Sequence, residues 1–593
     1  MEGDIAVMIT RAPLRLAFIC VLAAAAGLLA GGAAYVLLNG IGLLTNLALF
    51  GRFEWVLPSF SGLEPSWRLV VVPVIGALIV TALAKWSPII RGHGIPEAME
   101  AILRRGSRIQ PRTAIAKPVS AAVAIGTGGP FGAEGPIIVT GGAFGSLIGQ
   151  LFDVSASERK VLLASGAAAG MAATFGAPLA SVVIAVELLL FEFSTRSFIP
   201  LVVAVTLAGG VHSAIWGDAS LFSVPVHEYA GMAKLPFYAV LGILCGLLAT
   251  VVTKGLFFFE YLFRKLPVST TWHPLIGAVG FGIVGLFVPR ALGVGYDAIS
   301  DVLAGALPMG VLLSLLAAKL LAWWIALASG TSGGTLAPLL LTSGTFGGIV
   351  GLVTARLFPE LGITPGAAAV AAMAATFGAS TRATFTSIVF LFELTRDYQI
   401  ILPLMLASVM ADLVTYALLR ESLMTEKLAR RGVKVSTDIS QDALEAAHVR
   451  DFMTVQVVTI PESANVGEAR ALVTKMGHSA YPLVNAKGYC IGIVRRQHLT
   501  GVLDDSMPVR AAARMEVISV SPGDTALTAM LRMTEEDVDH LPVIEKGNLV
   551  GICTRSDVLR ARASHQNAET REGGWISQWK NRRAHQTDPR AAG

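Results

Sequence analysis

The chain has 593 residues, 54% of them hydrophobic and only 15% charged, with a mean hydropathy of +0.65. Soluble chains carry roughly 25% charged residues, so these figures exclude a disordered chain and a wholly soluble one, and the length requires more than one domain. The net charge of +5 would suit nucleic acid, but the basic residues gather on no aromatic-studded stretch. In a membrane protein a Lys/Arg excess marks cytoplasmic loops instead.

Arg11 and Arg15 precede the first uncharged run, Leu16–Phe50, which is too long for a secretory signal and lacks a clear cleavage site. The N-terminus is therefore expected on the cytoplasmic side. A spanning helix needs about 20 apolar residues. Val161–Val186 and Pro236–Thr253 meet or approach that length, whereas Leu69–Ala84 and Gly135–Phe152 are short and rich in glycine. Interruption by Gly and Pro predicts broken or half-crossing helices around a protein-enclosed cavity. Composition changes at about Leu423, and from Lys427 charges are frequent and apolar residues alternate in strand-length groups. The predicted organisation is a membrane domain at 1–430, with halves at about 12–217 and 236–420, then soluble units at 445–506 and 507–563 and a flexible polar tail at 564–593. Cys20, Cys245, Cys490 and Cys553 form no CxxC, so neither a disulfide framework nor a zinc site is predicted.

Both parts repeat internally. MAATFGA occurs at Met171–Ala177 and at Met373–Ala379, and the same 202-residue offset pairs Gly128 with Gly330, Gly132 with Gly334, Pro136 with Pro338 and Thr140 with Thr342. Two homologous halves of this kind create a site at their interface near the bilayer midplane. In the soluble part, Ser479–Leu499 matches Asp539–Leu559, each reading as strand, turn, strand and helix.

Three glycine-proline segments of the membrane part each lead into an apolar run: Gly92-His93-Gly94-Ile95-Pro96-Glu97, Gly132-Ala133-Glu134-Gly135-Pro136 and Gly333-Gly334-Thr335-Leu336-Ala337-Pro338. Proline in a first turn marks a helix N-terminus, which presents unpaired N–H groups and roughly half a positive charge. Singly these are ordinary turns between packed helices. Together, and paired by the repeat, they form a candidate anion site that needs no buried cation. Glu187, Glu192, Lys319, Arg382, Glu393 and Asp412 are further polar groups in apolar surroundings, expected for the most part at interfaces or in salt bridges.

With these motifs the chain resembles the CLC chloride channels and chloride/proton antiporters. GHGIPE is similar to that family's GSGIP motif, GAEGP to GxEGP, GGTLAP to GxFxP, and Ser380–Thr395 to its second-half signature. The C-terminal part resembles a tandem pair of CBS domains. The resemblance implies an all-α polytopic membrane domain of two inverted-topology repeats, followed by a cytoplasmic α/β tandem CBS module. It implies a homodimer in the cell (plasma or inner) membrane with both termini cytoplasmic and a pore in each subunit. It implies chloride and similar monovalent anions as substrate, with no required cofactor, metal, nucleic acid or enzymatic activity. The anion ligands implied are backbone groups of His93, Gly94, Ile95, Gly132, Ala133, Gly135, Thr335, Leu336 and Ala337, with Met424 in the pore. Glu134 matches the gating glutamate, whose carboxylate occupies an anion position when the pore is shut, and the physics agrees, because protonation abolishes its charge.

Four positions depart from the family pattern. His93 replaces the serine facing the central anion, and either donates to the anion and titrates or turns away while the backbone alone binds. Leu336 replaces the phenylalanine of GxFxP, and Met424 stands where the family has the pore tyrosine, substituting a flexible thioether for a hydroxyl. Glu187 matches the first of two adjacent glutamates and is the proton-pathway candidate, whereas the inner proton glutamate corresponds to Leu188. Glu187 projects about 100° away around a regular α-helix, so the expected mode is a channel or weakly coupled exchanger, with tightly coupled antiport the alternative.

In the second CBS copy Thr554 and Asp557 match the adenine-nucleotide pattern, while the first copy, Gly492–His498, lacks both. The module is expected either to hold one nucleotide there or only to stabilise a dimer. A CBS-regulated cation transporter is a more distant alternative, but it requires several pore-facing carboxylates. An intramembrane metalloprotease requires HExxH, and His227-Glu228 is followed by Tyr-Ala-Gly.

Overall fold

The structure, a computed structural model, describes residues 2–87, 90, 92–222, 224, 232–430, 444 and 447–561. The expected polar tail at 564–593 and the His227-Glu228 pair lie outside the described residues. The chain divides into two compact units, Met1–Ile439 and Ser440–Gly593.

Among the described residues the first unit is built of helices joined by loops. Its first half contains α1 (Glu2–Thr45), α2 (Arg68–Trp86), α3 (Ile95–Arg104), α4 (Pro111–Gly126), α5 (Glu134–Leu151), α6 (Ala156–Phe175), α7 (Pro178–Ala185) and α8 (Thr195–Trp216). Its second half contains α9 (Leu235–Lys265), α10 (His273–Phe287), α11 (Tyr296–Leu303), α12 (Met309–Ala328), α13 (Leu336–Leu357), α14 (Pro365–Thr381), α15 (Thr384–Thr395), α16 (Ile401–Leu418) and the short α17 (Glu426–Arg430). Among the described residues seven helices are long and apolar enough to cross a membrane. Several of the others, such as α3, α7 and α15, are short, as the Gly and Pro interruptions predict.

Small residues bring the helices close. A Cβ on Gly166 of α6 would lie 2.2 Å from the Gly141 carbonyl oxygen of α5, and one on Gly141 would lie 2.1 Å from that of Gly166. Backbone therefore rests on backbone across this pair, the packing available where no hydrophobic effect drives helix association.

The 202-residue repeat is visible in three dimensions, and so is the place where it slips. In the first MAATFGA copy α6 ends at Phe175, with Gly176 left-handed at φ 63°. Pro178 follows and starts α7. In the second copy Ser380 replaces that proline, so α14 runs on to Thr381 and ends at Arg382, φ 58°. Identical heptapeptides thus end differently because a proline cannot continue a helix.

The second unit carries the expected strand–turn–strand pattern twice. β1 (Ile460–Pro461) pairs parallel with β2 (Ala480–Val484), which pairs antiparallel with β3 (Cys490–Arg495). β4 (His540–Glu545) and β5 (Asn548–Thr554) form the second hairpin. The register shift falls between Leu483 and Val484 in the first copy and between Val543 and Ile544 in the second, the same place in both.

Gly166→Ala forces a methyl group into the Gly141 carbonyl and is expected to cost about 1–3 kcal/mol, read as a lower thermal-unfolding midpoint in detergent. Gly32→Ala on α1 meets nothing within 4 Å and is expected to leave the midpoint unchanged or raise it.

Candidate functional site

The three glycine-proline segments are helix N-termini, as predicted. Gly94 precedes α3 at φ 110°, and its amide donates to Glu97 Oε2 at 2.6 Å. Ala133 precedes α5 and Thr335 precedes α13, and neither supplies a side-chain cap. The first-turn N–H groups of α5 and α13 therefore lack the partner that Ser or Asp ordinarily provides.

The loops press directly on one another. Gly132 N donates to Gly334 O at 3.3 Å and Gly334 N donates to Gly132 O at 2.9 Å. These two residues are repeat mates, so the pseudo-two-fold axis relating the halves passes between them. A Cβ on Gly135 would lie 1.8 Å from His93 O, and one on Gly94 2.3 Å from Gly135 Cα. Only glycine permits that approach.

Where they meet lies a small cavity of about 10 Å³, lined by His93, Ile95, Glu134, Gly135, Thr335, Leu336, Ile138, Met171 and Ile184. That volume admits about one water-sized sphere. The other predicted residues Gly94, Gly132, Ala133 and Ala337 belong to the same loops without lining it. Met424 is fully buried but does not line it either.

Glu134 is 1% exposed, and its carboxylate folds back over the start of its own helix. A Cβ on Gly132 would meet Oε2 at 1.7 Å, and one on Gly334 would meet it at 2.7 Å. Oε2 has no hydrogen-bond partner, whereas Oε1 accepts from the Tyr296 hydroxyl at 3.3 Å. The buried negative group thus sits where two uncapped helix N-termini point.

Tyr296 was not found by sequence reasoning, although the signal existed. It lies 202 positions after Gly94 and opens α11 as Ile95 opens α3. Phe175 and Phe222 hold its ring edge-to-face, with centroids at 6.3 and 6.1 Å. It also lines a larger cavity of about 150 Å³ with Ser59, Phe60, Gly293 and Asp297. The Tyr296–Glu134 contact therefore stands between the two cavities.

Two fully buried lysines, again 202 positions apart, pin the approach to these loops. Lys117 of α4 donates to Ile90 O at 2.8 Å and Gly92 O at 3.0 Å. Lys319 of α12 donates to Ala291 O at 3.1 Å and Gly293 O at 2.9 Å. The expectation of an interfacial or salt-bridged Lys319 is corrected: the ammonium is 0% exposed and satisfied by carbonyl oxygens that turn away from helical pairing.

Glu187 sits in a π-helical turn, Val186–Leu190, closed by Phe191 N donating to Val186 O at 3.0 Å. The 100° step assumed for a regular α-helix therefore does not apply here. Its carboxylate accepts from Thr386 N at 3.0 Å and Phe385 N at 3.3 Å, capping α15. Glu393 of α15 returns the arrangement, accepting from Leu179 N at 2.9 Å and Ala180 N at 2.7 Å at the start of α7. Glu187 is not among the residues lining the cavity, and Leu188 is buried in the apolar core. Of the other charged groups, Glu192 pairs with Lys160 at 3.3 Å, Arg382 donates to Leu419 O at 2.8 Å, and Asp412 accepts from Thr384 Oγ1 at 3.0 Å.

In the second unit Thr554 and Asp557 are brought together at the end of β5. Asp557 Oδ2 accepts from Thr554 N at 2.9 Å and Oγ1 at 2.7 Å, and Oδ1 accepts from Arg560 at 2.7 Å.

A two-repeat helical membrane domain whose uncapped helix N-termini converge on a buried carboxylate defines an anion-pathway protein. Residues 75–416, more than half of the chain, match the family model described as voltage gated chloride channel, and residues 449–505 and 509–564 match the CBS domain. The chain belongs to the voltage-gated chloride channel (CLC) family, with C-terminal tandem CBS domains. The "H(+)/Cl(-) exchange transporter ClcA" of Vibrio campbellii is 32% identical over 390 residues, 64% of this chain and 83% of that protein. The protein of the same name from Salmonella agona is 33% identical over 374 residues, 61% of this chain and 77% of its own. A slow cyanobacterial Cl⁻/H⁺ antiporter aligns at TM-score 0.61 and 26% identity over 70% of this chain and 97% of its own. A eukaryotic CLC transporter shares the fold at TM-score 0.56 and 21% identity, covering 91% of this chain and 97% of its own.

Tyr296→Phe removes the hydroxyl that holds Glu134. A hydrogen bond to a charged group contributes about 1.5–3 kcal/mol, so the carboxylate is expected to leave its position more readily. Chloride efflux from liposomes at neutral pH should rise several-fold.

Proposed function

We propose that this protein is a transporter, not an enzyme, moving chloride and similar monovalent anions across the bilayer through the site between α3, α5 and α13, with Glu134 as the gate. The observation carrying this is the pair of uncapped N-termini at Ala133 and Thr335 facing a buried carboxylate. The carboxylate and a halide compete for the same N–H donors, so protonation or displacement of Glu134 opens the path. Backbone donors discriminate little by size, so bromide and nitrate are expected to follow chloride, while strongly hydrated fluoride is carried poorly. The chain works as a homodimer with a pore in each subunit, in the plasma or inner membrane with both termini cytoplasmic. Outward-facing Leu179 of α7 and Phe385 of α15, 60% and 59% exposed, suit contact with lipid or a second copy.

For the mode, we favour a weakly coupled chloride/proton exchanger. Glu134 supplies a proton-carrying group, but Leu188 and the capping Glu187 leave no carboxylate at the inner glutamate position. The exchange named for the ClcA relatives favours the second reading, tightly coupled antiport. At the CBS pair, one adenine nucleotide is the candidate regulator. Its ribose would take over the Asp557 carboxylate from Thr554.

Glu134→Gln mimics the neutral gate, and anion efflux is expected to persist and lose most of its pH dependence. Fluoride carried faster than chloride would refute the site. Proton uptake driven by a chloride gradient, with voltage clamped by valinomycin, is expected to be well below stoichiometric; robust uphill pumping that Glu134→Gln abolishes establishes tight antiport. In calorimetry with ATP, ADP or AMP, Asp557→Ala is expected to abolish binding. Unchanged affinity refutes that nucleotide site, and no binding to the unaltered protein leaves the module a purely structural role.

A further inference from the structure

The His93 side chain, 1% exposed, lines the small cavity. Its Nε2 lies 2.5 Å from the Nζ of Lys427 on α17. That ammonium is in turn held by Glu260 of α9 at 3.2 Å, with Arg430 at 3.7 Å from the same carboxylate. An ammonium offers donors only, so Nε2 is the acceptor and the neutral ring carries its proton on Nδ1. Nδ1 is buried and has no hydrogen-bond partner in the protein. The other charged groups around the ring are committed elsewhere: Lys117 to Ile90 O and Gly92 O, Glu97 to Gly94 N. One N–H donor therefore stands unsatisfied on a residue that lines the cavity, a costly state unless a ligand accepts from it.

We propose that Lys427 is a positioning residue that fixes His93 in the Nδ1–H tautomer, so that the ring donates to the transported anion. The Glu260 carboxylate keeps the lysine in place. The inference rests on the reading of this cavity as the anion site. It resolves the two readings of His93 in favour of the donor, and it makes a residue outside the glycine-proline motifs part of anion selection.

The test is a double-mutant cycle in liposomes, with chloride uptake measured against chloride concentration. Lys427→Met is expected to raise the half-saturating chloride about tenfold, equivalent to about 1.4 kcal/mol, with little change in maximal rate. Lys427→Arg, which keeps a donor, is expected to stay within about twofold of the unaltered protein. In a His93→Ser background Lys427→Met is expected to have no further effect, because there is no ring to orient. The same tenfold loss in that background would show that Lys427 acts by its charge alone, and failure of arginine to rescue would equally overturn the proposal. Should the lysine variants not fold, ¹⁵N spectra of the histidine-labelled protein in bilayers, with His93→Ser identifying the signal, are expected to show a protonated Nδ1 and a bare Nε2. The opposite tautomer overturns it. An unaltered protein that moves no chloride refutes the proposed function instead, and leaves the tautomer measurement to decide this inference by itself.

Discussion

The structure depends on the backbone N–H groups at the start of α5 and α13, which no N-cap side chain closes. A serine, threonine or aspartate side chain can close a helix's first turn, as Ser155 does for α6 and Thr364 for α14. At Ala133 and Thr335 no side chain does. Inside a bilayer an unsatisfied donor is costly, and the Glu134 carboxylate lies over these termini, against Gly132 and Gly334; on the proposed function an anion takes that place when it leaves. The glycines follow from that requirement. Gly94, Gly135 and Gly334 let three backbones approach until the donors share one small space, and a methyl group at any of them would strike backbone.

The repeat supplies the rest of the frame in pairs. Gly132 bonds to its mate Gly334, Lys117 and Lys319 pin the two preceding loops, and Glu187 and Glu393 cap each other's half. Each pair ties one half to the other or repeats a constraint in both. The asymmetries carry the specific chemistry. Glu134 has no acidic counterpart at Leu336, and Tyr296 stands where the first half has Gly94. The site is thus built by symmetry and made selective where symmetry fails.

Much of this was legible in the sequence because its physical basis is local. Proline after a glycine turn starts a helix, so α3, α5 and α13 begin close to where the motifs place them, and the 202-residue offset shows in the glycine bridge. The strand–turn–strand copies of the second unit were readable for the same reason, since alternation and turn residues act over a few positions. What escaped depends on contacts between distant positions. Tyr296 reaches Glu134 across 162 residues, and Lys427 reaches His93 across 334. Lys117 looks like one charge in an apolar run until the carbonyl oxygens of Ile90 and Gly92 are seen to receive it. The π turn at Val186–Leu190 leaves no mark in composition, yet it sets where Glu187 points and directs it to the start of α15.

On the proposed function, a carboxylate and a halide compete for one set of helix N-terminal donors. The most direct test is calorimetric chloride binding to the purified protein at neutral pH, compared with Glu134→Ala. If the competition is real, removing the carboxylate vacates the donors, and the variant binds chloride more tightly or with more sites filled than the unaltered protein. Equal or weaker binding by Glu134→Ala would contradict it, because the carboxylate would then not occupy a position that the anion needs.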